Sequence, residues 1–383
     1  MRRIVLWTAC GAALTAVAVN SALAAPAVEL VKPKQDVSFR LELANAIAKG
    51  LKWLEKKQSA DGSWSQPEYP ALSALALTAF MGEPSGKYKS ARPAVVQKGY
   101  AYLLKNVQSD GGIYSKASQT PMENYNTAIA MTALIVARDP AFEPTIRKAR
   151  QYLIGLQNDG GIGYNKDGHS DMSNSVMALE ALYYSKYLAR DEAGQKAKDL
   201  NWAAAVAFIQ RCQNLPEYNK EAWVSDDPQN KGGFVYYPGD SKAGEMKTAG
   251  GKTALRSYGS ISYAGLLSYA YADLTKDDPR VAAVLKWLAE NYTLDENPGM
   301  GQEGLYYYYH MMAKALSAAG VTTLTTKGGR TVDWRRELAL KLLSLQSGED
   351  GSWVNQNGRW WEKDPVLTTS YSLIALEVLY RSL

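Results

Sequence analysis

Cysteine is nearly absent: the 383 residues hold two, Cys10 and Cys212. Cys10 falls in an apolar leader, so the mature chain keeps one thiol and no internal disulfide staples its fold. Stability must therefore come from a packed core. Histidine is equally scarce, with His169 and His310 alone, which excludes the multi-histidine metal centres. No charge of one sign dominates, since 43 Lys and Arg face 38 Asp and Glu. No run of basic residues interleaves with aromatics, so nucleic acid is not an expected partner. Strand-type alternation is missing too, and little sheet is expected. The nucleophile elbow, the zinc-protease helix and the phosphate loop are absent as motifs.

The N-terminus follows the pattern of a secretory leader. Arg2 and Arg3 precede an apolar run from Ile4 to Val19, and Ala22-Leu23-Ala24 is a small-x-small cleavage site. Residues 1–24 are expected to be a cleaved signal, 25–40 a linker and 41–383 a single domain, exported to a periplasmic or extracellular space. No later segment is apolar enough to span a bilayer. Aromatic content leans heavily on Tyr, with 25 against 5 Phe. Rings with a polar tip suit a partly wet cavity, an interface or the ends of a core.

What the chain does contain is a repeat. Gly50-Leu51-Lys52-Trp53-Leu54 leads through Gln58 to Asp61-Gly62-Ser63-Trp64. Gln108 precedes Asp110-Gly111-Gly112-Ile113-Tyr114, and Gln157 precedes Asp159-Gly160-Gly161-Ile162-Gly163-Tyr164. Near the end, Gln346 precedes Asp350-Gly351-Ser352-Trp353. Two copies are degenerate. Gln213 is followed by an insertion that ends in Gly232-Gly233-Phe234, and Tyr292 stands in the Gln position after Trp287-Leu288. Each copy has helical period before the turn, as in Leu43, Ile47, Leu51 and Leu54. A more apolar helix follows it, as in Leu72, Leu75, Ala76, Ala79 and Phe80. Gly62 and its equivalents suit the positive φ of a tight reversal, and the preceding Asp suits a capping role. Six such pairs predict an all-α fold, an α/α6 toroid with the second helices lining the inside.

Lys49 to Trp64 resembles the QW motif of squalene and oxidosqualene cyclases, and protein prenyltransferase β-subunits carry related repeats. The resemblance covers roughly residues 41–383 and implies the terpenoid-cyclase toroid. It does not bring the family's chemistry with it. The Asp-x-Asp-Asp acid of class II cyclases is missing, and Val224-Ser225-Asp226-Asp227 lacks its first Asp. Tyr306-Tyr307-Tyr308-Tyr309-His310 resembles the prenyltransferase segment that carries a zinc ligand. The stretch from Gly251 to Ser260, however, lacks the accompanying Asp and Cys. No metal and no cofactor are therefore expected.

The resemblance places Lys252 and Arg256 where diphosphate-binding cations would stand, ahead of an inner helix; an ordinary solvated loop is the alternative. His310, Asp171 and Tyr258 are the candidate catalytic groups, and Tyr307 and His169 join Lys252 and Arg256 as candidate ligand contacts. His310 is either a general acid or base or a satisfied core residue. Asp171 reads as a helix N-cap or as half of an acid–base couple with His169. The polar starts of the second helices, among them Asn124 to Thr127, Ser173 to Ser175, Ser257-Tyr258 and Thr368-Thr369, form either a polar rim over an apolar barrel or part of a plugged core. Three functions fit: a binding toroid for an isoprenoid or other amphiphile, or for a protein partner; an isoprenoid- or lipid-acting enzyme with a diverged lumen site; and a carbohydrate-acting barrel.

Overall fold

A computed structural model describes residues 36–189 and 198–383. The expected leader and most of the expected linker lie outside the described residues. Among the described residues, six outer helices alternate with six inner ones. The pairs in chain order are α1 (Val37–Lys57) with α2 (Pro70–Gly82), then, after the short α3 (Lys87–Ala91), α4 (Ala94–Lys105) with α5 (Glu123–Ala137). Next come α6 (Glu143–Gly155) with α7 (Met172–Tyr184), and α8 (Trp202–Arg211) with α9 (Gly259–Tyr271). Last are α10 (Pro279–Glu290) with α11 (Leu305–Ala318), and α12 (Trp334–Leu345) with α13 (Pro365–Ser382). The inner helices pack in sequence, α2 on α5, α5 on α7, α7 on α9, α9 on α11 and α11 on α13. Helix α13 then returns to α2 and closes the ring. Among the described residues, strand structure is limited to three short antiparallel ribbons, at 157–162, 245–255 and 324–332.

The outer helices are amphipathic and the inner ones are apolar on nearly every face, as a wall buried on both sides requires. Caps follow the sequence. Asp36, Asp171, Asp278, Asp333 and Asp364 each accept a backbone N–H at a helix start. Proline occupies the first turn of α2, α10 and α13, where its missing N–H costs nothing.

The repeat motif works as a three-part latch. The side-chain amide of Gln58, Gln157, Gln213 and Gln346 bonds its own turn and reaches the next outer helix or its cap, whereas that of Gln108 stays within its own turn. Gln58 Nε2 donates to Gly62 O (3.1 Å) and Val95 O (2.8 Å), and Gln213 Nε2 to Gly232 O and Arg280 O, both at 2.9 Å. The turn glycine lies against that same outer helix. A Cβ on Gly62 (φ +93°) would sit 2.3 Å from Lys98 O, and one on Gly232 (φ +99°) 2.3 Å from Ala283 O. Only glycine fits both the angle and the gap. The residue after the turn then donates its N–H to a hydroxyl on the inner helix. Trp64 N bonds Ser73 Oγ at 2.9 Å, Ile113 N bonds Thr127 Oγ1 at 2.9 Å and Ile162 N bonds Ser175 Oγ at 3.0 Å. Phe234 N bonds Ser262 Oγ at 2.9 Å, and Trp353 N bonds Thr369 Oγ1 at 3.0 Å. Of the two readings of the polar helix starts, Thr127, Ser175 and Thr369 take neither the rim nor the plug. They point back into the turns.

Copy four keeps this latch despite its insertion, because Gln213 pairs with Phe234 across the looped-out segment. In copy five the Tyr292 hydroxyl replaces the Gln amide and reaches Glu337 on the next outer helix at 3.1 Å. Lys341, standing where the motif has an aromatic, pairs with Asp295.

Candidate functional site

A cavity of about 440 Å³ opens among the N-terminal ends of the inner helices. Its wall is aromatic. Tyr125, Tyr258, Tyr307 and Tyr371 come from the starts of inner helices and the residue before α9. Tyr69, Tyr164, Tyr236, Trp360 and Trp361 come from the connecting loops. Leu72, Leu75, Ile129, Ile261 and Leu367 add apolar surface to the same wall. The phenols of Tyr125, Tyr258 and Tyr307 are pushed up chiefly by burial, so they are neutral at physiological pH. Burial also raises Tyr236 and Tyr371. The Tyr307 hydroxyl is buried with no protein partner.

Trp360 and Trp361 are both left-handed, at φ 53° and 66°, a conformation that bulky residues rarely take. They are 43% and 38% exposed at the cavity mouth. Trp360 lies on Gly304, where a Cβ would come within 2.9 Å of its ring, and Trp361 meets Tyr69 edge-on at 4.5 Å. Strain spent to hold two exposed indoles at a cavity mouth is a sign of use.

Two buried carboxylates stand at the cavity. Glu362, on the wall, accepts N–H groups of Tyr307 (2.8 Å) and Tyr306 (3.2 Å) at the start of α11 and the Asn355 amide at 2.7 Å. Asp171 lies behind the wall residue Ser173. It accepts from Ser173 Oγ (2.7 Å), Asn174 N (2.9 Å) and Asn174 Nδ2 (2.8 Å). Burial raises both carboxyls above the usual range, against the lowering effect of these bonds.

The residues singled out in the sequence part company here. Tyr258 and Tyr307 are on the cavity wall. Asp171 caps α7 from behind it. His310 sits beneath the wall, buried, its ring 4.8 Å from Tyr371 and its Nδ1 without a partner. Burial, aided by the Lys314 cation, pushes its imidazole well below the usual range. His169 is exposed and packs edge-on against Tyr237 at 4.5 Å, with no hydrogen bond to Asp171. Lys252 and Arg256 are away from the cavity lining. Lys252 Nζ bonds Val224 O at 2.5 Å and Arg256 Nε bonds Glu245 O at 3.1 Å, at the ribbon inside the insertion. Asp227 closes a turn by accepting Gln229 N. Among the described residues no three His, Cys, Asp or Glu side chains converge as metal ligands, and no helix is long and apolar enough to cross a membrane.

Sequence reasoning missed Glu362, Trp360 and Trp361, which sit in a loop without periodicity. The one available signal was the Trp-Trp-Glu run itself, two large rings beside an acid just ahead of the last inner helix.

Below the cavity a buried ion pair crosses the lumen. Glu180 on α7 and Lys314 on α11 form an ion pair, both side chains about nine-tenths buried. These helices are not ring neighbours, so the pair spans the lumen. Each residue lies two helical turns beyond a cavity-wall residue of its own helix, Ser173 and Tyr307, or about 10 Å deeper.

No family model matches the chain. A stretch is 30% identical over 144 residues to a probable squalene–hopene cyclase of Sinorhizobium fredii, covering 32% of this chain and 22% of that protein. The match thus spans about a fifth of the relative's length. Among solved structures, a variant of the type II terpene cyclase MstE from Scytonema, in complex with merosterolic acid A, superposes with a TM-score of 0.52. Identity is 13%, over 91% of this chain and 100% of the other. The same cyclase holding geranylgeranyl dihydroxybenzoate gives 0.51 at 12% identity, with the same coverage. A GH76 α-mannanase from Bacteroides thetaiotaomicron gives 0.53 at 10% identity, over 88% of this chain and 98% of that one. At such identities the likeness is one of fold. The chain has the α/α toroid fold of the terpenoid cyclases.

Proposed function

We propose that this protein is an exported binding toroid that holds one amphiphilic small molecule in the aromatic cavity. The observation that carries this reading is the use of the carboxyls. A class II cyclase needs an acid aimed at the substrate, but here Asp171 and Glu362 spend their oxygens on the starts of α7 and α11. What remains open to a ligand is ring face, apolar side chain and phenol. A cavity of about 440 Å³ lies in the range of small-molecule sites. The leader from Arg2 to Ala24 supports export, and fractionation with N-terminal sequencing of the mature chain tests it.

The second reading is an enzyme acting on an isoprenoid. In its favour, burial keeps the Asp171 carboxyl protonated more than usual, as proton donation to an alkene requires. Thermal shift of the mature chain against polyprenyl diphosphates, neutral triterpenes and simple amphiphiles separates the two from a scaffold. A ligand at a hundredfold over its Kd adds about 2.7 kcal/mol, a rise of roughly 4 °C at this size. Binding without turnover supports the toroid as a carrier. Product formation abolished by Asp171→Asn replaces that reading with catalysis. No shift with any ligand leaves a protein-binding scaffold.

A further inference from the structure

We infer that the cavity is an aromatic cage for an organic cation, an alkylammonium or quaternary ammonium head with an apolar tail. This rests on the amphiphile reading above and names the head group.

The argument starts from which charges are paired. Lys242, the one cationic wall residue among the described residues, is bound by Asp240 at 2.7 Å, and Arg359 beside the mouth is bound by Glu303 at 2.8 Å. Glu362 and Asp171, both 1% exposed, have no cationic partner among the described residues. Their partners are amides, a hydroxyl and the starts of two helices, and a helix start supplies about half a charge. A buried carboxylate ordinarily has a full counter-charge. The cavity therefore has one buried carboxyl on its wall and a second behind it, neither with a counter-charge, and no free cation on the wall.

The second strand is geometry. The rings of Tyr125, Tyr258, Tyr307, Tyr371, Trp360 and Trp361 surround the same space as Glu362. Ring faces carry negative quadrupole density and attract cations, most strongly where water is excluded. The wall already shows this behaviour: the Lys242 ammonium sits 4.3 Å from the centre of the Tyr236 ring. An anionic head would meet neutral phenols and the Glu362 carboxyl, with no unpaired cation on the wall to receive it. A neutral head would leave the carboxylates as they are.

Calorimetric titration of the full chain with octyltrimethylammonium, 1-octanol and octanoate, all below micellar concentration, tests the inference. The ammonium is expected to bind about tenfold tighter than the alcohol, with octanoate weakest. Glu362→Gln should lose about tenfold for the ammonium and leave the alcohol unchanged. Should that variant fail to fold, Trp360→Leu at the exposed mouth decides, because it keeps apolar bulk and removes the ring face. It should weaken the ammonium selectively. Equal binding of alcohol and ammonium, with either variant indifferent to charge, overturns the cation cage and leaves the amphiphile reading standing. Tightest binding by octanoate overturns it in favour of an anion site. Silence from all three ligands removes both readings.

Discussion

The side-chain amide of Gln346 donates to the backbone carbonyl of Ala46 at 2.9 Å, joining residues 300 positions apart. It also holds Gly351 O at 2.8 Å. This is the repeat's own latch, used between the last copy and the first. Ser65 Oγ adds a second tie from copy one to copy six, on the carboxylate of Asp364 that caps α13. A ring built from near-identical joints is thus closed by the same joint.

Gln346→Ala should therefore act as a ring-opening lesion. Two carbonyls lose their donor, a cost of about 1–3 kcal/mol. Gln108→Ala is the control, because that amide bonds only within its own turn, to Asn106 O and Tyr114 O. Urea melts should show a larger fall for Gln346→Ala. Equal falls would mean that closure adds nothing to the local turn.

Gly232→Ala tests whether copy four is a true repeat. Its φ of +99° and the carbonyl of Ala283 at 2.3 Å from a new Cβ leave no room for a side chain. Left-handed strain alone costs about 1–3 kcal/mol, and the backbone clash adds to it. Gly239, at φ +104° in the same insertion, has nothing within 4 Å of a Cβ and should suffer from angle strain only. The difference in thermal midpoint between the two variants reads the packing of the latch.

These joints are also why so much of the fold was legible. Gln58, Gly62 and Trp64 are specified by local chemistry and recur, so sequence spacing alone places them. The toroid, its six pairs and the inner position of the second helices all follow from that recurrence. The site was legible only where it grows from the helix starts, as at Tyr258 and Tyr307. Trp360 and Glu362 depend on how the last loop returns over the ring, which no periodicity encodes. Lys252 and Arg256 were placed by resemblance, but the insertion around them folds as its own ribbon away from the cavity lining.

Trp360→Asn and Trp361→Asn should separate stability from binding. Asn tolerates the left-handed region that both indoles occupy at some cost. The relief offsets the lost contacts with Gly304 and Tyr69, so thermal midpoints should move by no more than about 2 °C. The ligand-induced shift should vanish. Retained binding in both variants would remove the mouth from the site.

Glu377 should make stability depend on pH. It is buried on α13 against Gly82, its Oε1 has no partner, and burial pushes its carboxyl well above the usual range. Arg381 and Lys89 face it and pull the other way, while Glu83 adds to the rise. A raised folded-state pKa means the stability it permits is fully present below the unfolded pKa and is lost as pH rises through the folded one. Glu377→Gln should accordingly stabilise the protein at pH 8 and change little at pH 4. A gain of equal size at both values would trace the effect to packing rather than ionisation.

The Glu180–Lys314 pair tests whether the lumen floor is there for stability or for shape. Lys314→Met strands a buried carboxylate and should cost about 3–5 kcal/mol. The double variant Lys314→Met with Glu180→Leu removes both charges and should recover most or all of that loss, since buried pairs seldom outperform well-packed apolar residues. Stability alone would then not explain why the pair is present. Its depth gives the alternative: it crosses the lumen two turns below Ser173 and Tyr307 and sets where a ligand's tail must stop. Chain-length preference is the readout. Alkyltrimethylammonium ions of increasing length should reach a sharp affinity limit in the native protein, because a longer tail meets an ion pair that cannot be left unsolvated. In the double variant the limit should move to longer chains. An unchanged limit would place the bottom of the cavity above the pair, at the His310 and Tyr371 rings.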